Sequence, residues 1–295
     1  MTGLLTTTKN FYLYQKVRFP VVVLGLSFLP AILSSGAVVE GRVEKKFVVI
    51  AVIISLAYLL HVRIIDEFRD YEHDLRHHKD RPVSSGVITL KELQVIDWFA
   101  IAIVAIASLY ASYQALLIAV VMLLYSYFAR NEFFFGLQFR KHFYLYNAVN
   151  LVQMLLLQIL VYTLASPSFS FTSLVTVHFL FTATGTVIFE FLRKVKSPGE
   201  DGTGKDTYTW FLGFNNALLV YVVFVTLNIL LFVKVMFLIP STTTYWIPLT
   251  VALIIGTLAT LFIHKAHGVE KTNQLMQLSF MVMYGSFNVL IYLAV

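Results

Sequence analysis

The chain has 295 residues, 58% of them hydrophobic and only 13% charged, with a mean hydropathy of +0.78. That composition excludes a water-soluble globular domain and marks a polytopic membrane protein. The formal charge of +6 calls for no nucleic acid, since basic loops are ordinary in membrane proteins, and the lack of cysteine excludes disulfides, thiolate metal sites and cysteine nucleophiles.

Apolar runs of spanning length, about 20 residues, cover 19–39, 46–65, 93–110, 112–129, 144–164, 171–192, 209–238, 245–263 and 274–295, which predicts nine transmembrane helices. The first is read as a retained span rather than a signal peptide, because the 18 residues before it are long for an n-region and Pro30 interrupts it. Only Ala111, Ser112 and their neighbours separate the third and fourth spans, and the seventh is long enough to tilt. Assigned to alternate sides, 16 of the 22 Lys and Arg residues fall on the side of the N-terminus. The positive-inside rule then puts the N-terminus in the cytoplasm and the C-terminus outside. No Gly/Ser linker divides 1–295, which reads as a single integral membrane domain.

The second span ends in D-E-F-R-D-Y-E-H-D-L-R-H-H-K-D-R, Asp66 to Arg81. Asp66, Asp70 and Asp74 recur at i, i+4 and i+8, one helical face, with Glu67 bordering it. The C-terminal end of a helix is already negative, so carboxylates stacked there call for a bound cation. Arg69, Lys79 and Arg81 beside them call for an anion. Mg2+ carrying a phosphorylated ligand satisfies both, since it takes one or two carboxylates and completes its octahedron with water and phosphate oxygens. Ion pairs such as Glu72–Arg76 on a solvated helix end are the simpler alternative. Arg63, one turn deeper, has Glu67 as its natural partner and phosphate as the other. His73, His77 and His78 are read as solvated loop residues, although imidazoles also suit a metal.

A second polar end follows the sixth span, where E-F-L-R-K-V-K (Glu190 to Lys196) runs into S-P-G-E-D-G-T-G-K-D-T-Y (Ser197 to Tyr208). Glu190 and Glu200 offer acid, Arg193, Lys194 and Lys196 offer cations, and Tyr208 a hydroxyl; a basic loop against anionic lipid is the alternative. Two such ends, four helices apart, suggest a pair of four-helix units facing each other plus one helix. Lys141, Asn147, Asn150 and Glu132 are further candidates for the same cavity.

D-E-F-R-D-Y-E-H-D followed by K-D-R-P-V-S-S-G-V-I-T resembles the first aspartate-rich motif and following loop of the UbiA superfamily of intramembrane prenyltransferases, N-D-x-x-D-x-x-x-D and then R-P-x-x-S-G. Asp66 stands where that family has Asn and Glu67 where it has Asp, while Asp70 and Asp74 match. The second motif departs: with Gly204–Thr207 on the family's G-x-x-T, the acidic positions fall on Arg193, Lys196 and Glu200, with Glu190 a substitute one turn earlier.

The resemblance implies an all-α nine-helix bundle that binds a prenyl diphosphate with Mg2+ and transfers the prenyl group to a lipophilic or aromatic acceptor in the membrane, among membrane lipid. Asp66, Glu67, Asp70, Asp74, Glu190 and Glu200 would hold metal. Arg63, Lys79, Arg81, Lys141, Asn147, Arg193, Lys194 and Tyr208 would meet the substrate. A terpene cyclase of the same family, ionising the diphosphate without an acceptor, and a divalent-cation transporter are the alternatives.

Overall fold

The structure, a computed structural model, describes residues 2–134, 136, 142–198, 207–240 and 244–295, with backbone alone for 2–6. Every regular element among them is helical: α1 (Thr2–Arg18), α2 (Val21–Glu40), α3 (Lys45–Arg69), α4 (Tyr71–His77), α5 (Leu90–Ala111), α6 (Tyr113–Arg130), α7 (Phe143–Ala165), α8 (Ser173–Arg193), α9 (Tyr208–Leu212), α10 (Phe214–Leu238), α11 (Trp246–His267) and α12 (Glu270–Ala294). All but α1, α4 and α9 are long and apolar enough to cross a membrane, nine among the described residues, and the protein is an integral, multi-pass membrane protein.

Local chemistry explains the boundaries. The narrow gap between the third and fourth spans is a true break, because Ser112 is extended (φ −169°, ψ 161°) and its hydroxyl accepts from Ala115 N at 3.0 Å, capping α6. Thr89 and Glu92 form a reciprocal capping box that starts α5. The seventh run differs from the tilted single helix expected over 209–238. Gly213, at φ 76°, divides it into α9 and α10, and only glycine adopts that backbone without strain. Thr172 caps α8 through Val175 N, and left-handed Gly268 ends α11.

Two compact units emerge, each with four spans. The first combines 1–29 and 44–167; the second combines 30–43 and 168–295, so that the chain passes from one to the other within α2 at Pro30. The expected four-plus-four-plus-one arrangement is therefore present, with α2 as the odd helix. In the first unit, Ala57, Ala115 and Ala119 bring α3, α5 and α6 close around Ile54, Tyr58, Val104 and Met122. A buried polar chain ties the same helices: His61 Nδ1 lies 2.6 Å from Asp97 Oδ1, and His61 Nε2 lies 2.7 Å from Ser126 Oγ. In the second unit, Ser34 bonds Asn288 Oδ1 at 2.6 Å and His178 Nε2 at 3.0 Å, while Phe232 and Phe287 stack 4.0 Å apart. Bonds between side chains are retained in spanning helices because lipid offers no replacement partner.

Candidate functional site

α3 ends at Arg69, so the acidic ladder is not carried by one regular helix as the i, i+4, i+8 spacing predicts. Asp70 (φ −95°, ψ 4°) is a bend, and Asp74 belongs to the short α4. The hydrogen bonding nevertheless runs through: Asp70 N donates to Asp66 O, Asp74 N to Asp70 O and His78 N to Asp74 O, each at 2.8 Å. The three carboxylates thus remain one turn apart along a bent backbone.

Each has a cation against it. Arg69 donates to Asp66 Oδ1 at 2.5 Å and to Asn150 Oδ1 at 3.0 Å, and lies 5.0 Å from the Tyr146 ring, joining α3 to α7. Its Nε is 3.9 Å from Asp70, whose side chain is 40% exposed. Arg81 donates to buried Asp74 at 2.5 Å. The R-P-V-S-S-G segment holds that guanidinium in place. Pro82 O accepts from Val87 N and Ile88 N, Gly86 takes φ 78°, and Val83 and Ile88 are buried with Tyr14, Phe19, Ile64 and Leu93. Lys79, on the same loop, is exposed.

Glu67 is turned to another task than the ladder. Its Oε1 accepts from Arg18 Nε and Arg63 Nη2, both at 2.8 Å, and from Tyr14 Oη at 3.5 Å, and its side chain is only 1% exposed. Arg63, offered above both to Glu67 and to phosphate, is paired with Glu67 and lies 3.6 Å from Asp66 Oδ2. Burial, reinforced by the Glu67 charge, raises the Tyr14 pKa, so the hydroxyl stays a donor. Neither Tyr14 nor Arg18 was singled out from the sequence. The available signal was an acid bordering an apolar face, which requires a cation from elsewhere in the chain.

In the second cluster the cations meet Glu190. Arg193 donates to both Glu190 oxygens at 2.9 Å, and Lys194 Nζ lies 3.1 Å from Glu190 Oε1. Its backbone is pinned by neighbours: Thr209 Oγ1 bridges Lys196 N and O, Tyr208 N donates to Lys194 O, and Asn273 Nδ2 donates to Val195 O. The Tyr208 ring is buried 4.4 Å from Phe191. Asn147 donates to Phe143 O within α7 and is buried, and Glu132 opens a left-handed turn after α6 (φ 51°). Lys141 and Glu200 lie outside the described residues.

His73 and His77 stand on α4 and are not loop residues as expected, and His73 and His78 are half-buried. Also unforeseen was the pairing of Asp97 with His61, with Arg130 Nη1 4.0 Å from its other oxygen and Arg130 stacked on Phe68.

The donors at the end of α3 suit Mg2+, because Asp66, Asp70 and Asp74 offer oxygen alone and Asp70 is open to solvent at the bend. The partner arginines leave the cluster close to neutral before any ligand arrives.

No protein-family model matches the sequence, and no curated protein aligns with it significantly. Solved structures do match. A digeranylgeranylglyceryl phosphate synthase structure shares 16% identity over 99% of this chain and 98% of its own, with a TM-score of 0.61. A UbiA homologue from Aeropyrum pernix K1 shares 13% over 90% and 97%, with a TM-score of 0.64. A UbiA homologue from Archaeoglobus fulgidus, bound to DMAPP and Mg2+, shares 15% over 94% and 98%, with a TM-score of 0.56. At this low identity the likeness is one of fold, and the protein has the UbiA fold.

Proposed function

We propose that this protein is a Mg2+-dependent prenyltransferase of the UbiA superfamily, moving a prenyl group from a prenyl diphosphate to a lipophilic or aromatic acceptor in the membrane. The observation that carries this reading is the row Asp66–Asp70–Asp74 at the end of α3, with Arg81 folded back onto it by the R-P-V-S-S-G segment. The fold supports it, since homologues sharing that fold have been solved with DMAPP and Mg2+ and with GPP and Mg2+.

Asp66, Asp70 and Asp74 would hold the metal, which when bound supplies positive charge to the departing diphosphate. Arg81 and Lys79 donate to phosphate oxygens as the allylic C–O bond breaks. Arg69 keeps Asp66 in position through its bonds to Asp66 and Asn150. The allylic carbon then bonds to the acceptor nucleophile, which loses a proton. Exclusion of water by the apolar spans keeps the cationic carbon from hydrolysis. The test is purified protein with Mg2+ and a panel of prenyl diphosphates, with and without a membrane lipid extract, read by mass spectrometry. Prenylated lipid is the expected product. A cyclised hydrocarbon formed without extract would mark a cyclase, and intact diphosphate in every arm would overturn the reading.

The second cluster is proposed to act through fixed cations rather than a metal, because Arg193 and Lys196 occupy positions where the family has acids. Arg193→Ala or Lys194→Ala is expected to raise KM for the prenyl diphosphate about tenfold, the worth of one charge-assisted contact near 1.4 kcal/mol. Glu190→Gln is expected to leave the Mg2+ requirement as it is. A Glu190→Gln protein that needs excess Mg2+ would instead place a second metal there.

Orientation follows from charge. Reporter fusions are expected to find the N-terminus and the Asp66–Arg81 segment in the cytoplasm and the C-terminus outside, given nine spans among the described residues. Both termini on one side would refute it.

A further inference from the structure

We propose that α4 and its C-terminal cap form a binding site for a nitrogen-preferring divalent cation, zinc or a close neighbour in the first transition row, with His73, Asp74 and His78 as ligands. One ligand atom from each of the three lies within 4.8 Å of the other two. The local fold makes this juxtaposition. His78 follows Asp74 by one turn and is held there by its N–H bond to Asp74 O at 2.8 Å, while His73 adjoins Asp74 in the chain. The His73 ring centroid is 4.7 Å from that of His77 and 5.8 Å from that of His78, so three imidazoles lie together at this end of α4.

Tetrahedral zinc with bonds of about 2.0–2.2 Å sets its ligand atoms roughly 3.3–3.5 Å apart. The ligand atoms already lie 4.8 Å or less apart, and His73 and His78 are partly exposed, so their rings can turn to close the difference. The exposed His77 or a water completes four ligands. Two imidazoles with one carboxylate select against Mg2+, which takes oxygen, and favour zinc-like ions. The site is therefore chemically separate from Asp66 and Asp70 and shares only Asp74 with the ladder.

That sharing has a consequence. Asp74 Oδ1 already accepts from Arg81 at 2.5 Å, so the ion takes the other oxygen or displaces the guanidinium. Either way it weakens the Asp74–Arg81 pair, and an occupied site would inhibit prenyl transfer. The inhibition rests on the function proposed above, whereas the binding does not.

The experiment measures binding itself. Protein purified without a polyhistidine tag is titrated with Zn2+ by calorimetry and with Co2+ by visible absorption, in the presence of excess Mg2+. A single bound ion is expected, with the intense visible bands of tetrahedral Co2+. His73→Gln and His78→Gln, both at the surface and checked for normal thermal unfolding, should weaken it at least about 10-fold, the loss that even an outer-shell partner brings. His267→Gln, an exposed histidine elsewhere, should bind as the parent does. No uptake, uptake abolished by excess Mg2+, or equal uptake by the His73 and His78 variants would each overturn the proposal.

Discussion

Asp70→Ala is expected to reduce diphosphate release by about 10²-fold or more, which corresponds to roughly 3 kcal/mol of lost charge stabilisation in the transition state. Asp70 is 40% exposed at the bend between α3 and α4, with Arg69 Nε 3.9 Å away. Removing it takes away a proposed metal ligand and little packing, so thermal stability should barely change. Asp74→Ala is expected to be as inactive but also less stable. Its carboxylate is buried and holds Arg81, so the substitution also takes that partner from a partly buried guanidinium. The two variants together separate ligation from structure. Diphosphate release and melting temperature, measured side by side on detergent-purified protein, decide it. Near-normal release by Asp70→Ala at normal protein levels would remove the metal assignment.

Glu67→Ala is expected to cost the most stability of any single change at this end of the molecule. One oxygen, Oε1, receives Arg18, Arg63 and Tyr14, and the side chain is 1% exposed. Breaking a buried ion pair by deleting one partner costs about 3–5 kcal/mol. Because both arginines keep some contact with solvent, about 2–3 kcal/mol is the better expectation. Glu67→Gln, which keeps an acceptor but no charge, should fall between. Pairing either change with Arg18→Ala should be strongly non-additive in melting temperature, since the same contact is removed twice. A Glu67→Ala protein that melts like the parent would show that the clamp contributes nothing. The Mg2+ requirement of Glu67→Gln is a separate measurement. A large shift there would show that Glu67 holds metal as well.

Much of the architecture was legible because a bilayer imposes a simple rule on a chain. Apolar length of about 20 residues is needed wherever it crosses. Each of the nine predicted spans contains a helix long enough to cross, and even the doubtful break at Ser112 is real, since a hydroxyl that caps its own helix is a local signal. The division into four spans, four spans and one further helix was likewise visible in the recurrence of polar helix ends, although not that this helix is divided between the units.

Where sequence reading failed, a property without periodicity decided. Hydropathy is blind to a glycine at positive φ, so the run over 209–238 looked continuous although Gly213 breaks it. Spacing alone put Asp66, Asp70 and Asp74 on one straight helix, but the backbone bends at Asp70 because α3 ends at Arg69 and α4 starts at Tyr71.

The sequence by itself determined the spans, the positions of the acidic row and of the R-P-V-S-S-G segment, and the charge asymmetry, because each depends on residues near in the chain. Only the tertiary structure decided which partners distant in the chain these side chains meet. Arg18 reaches Glu67 across 49 positions and Arg69 reaches Asn150 across 81, and no local pattern encodes such partners. A carboxylate taken out of water must find a positive charge wherever packing brings one, and packing is a property of the folded helices together.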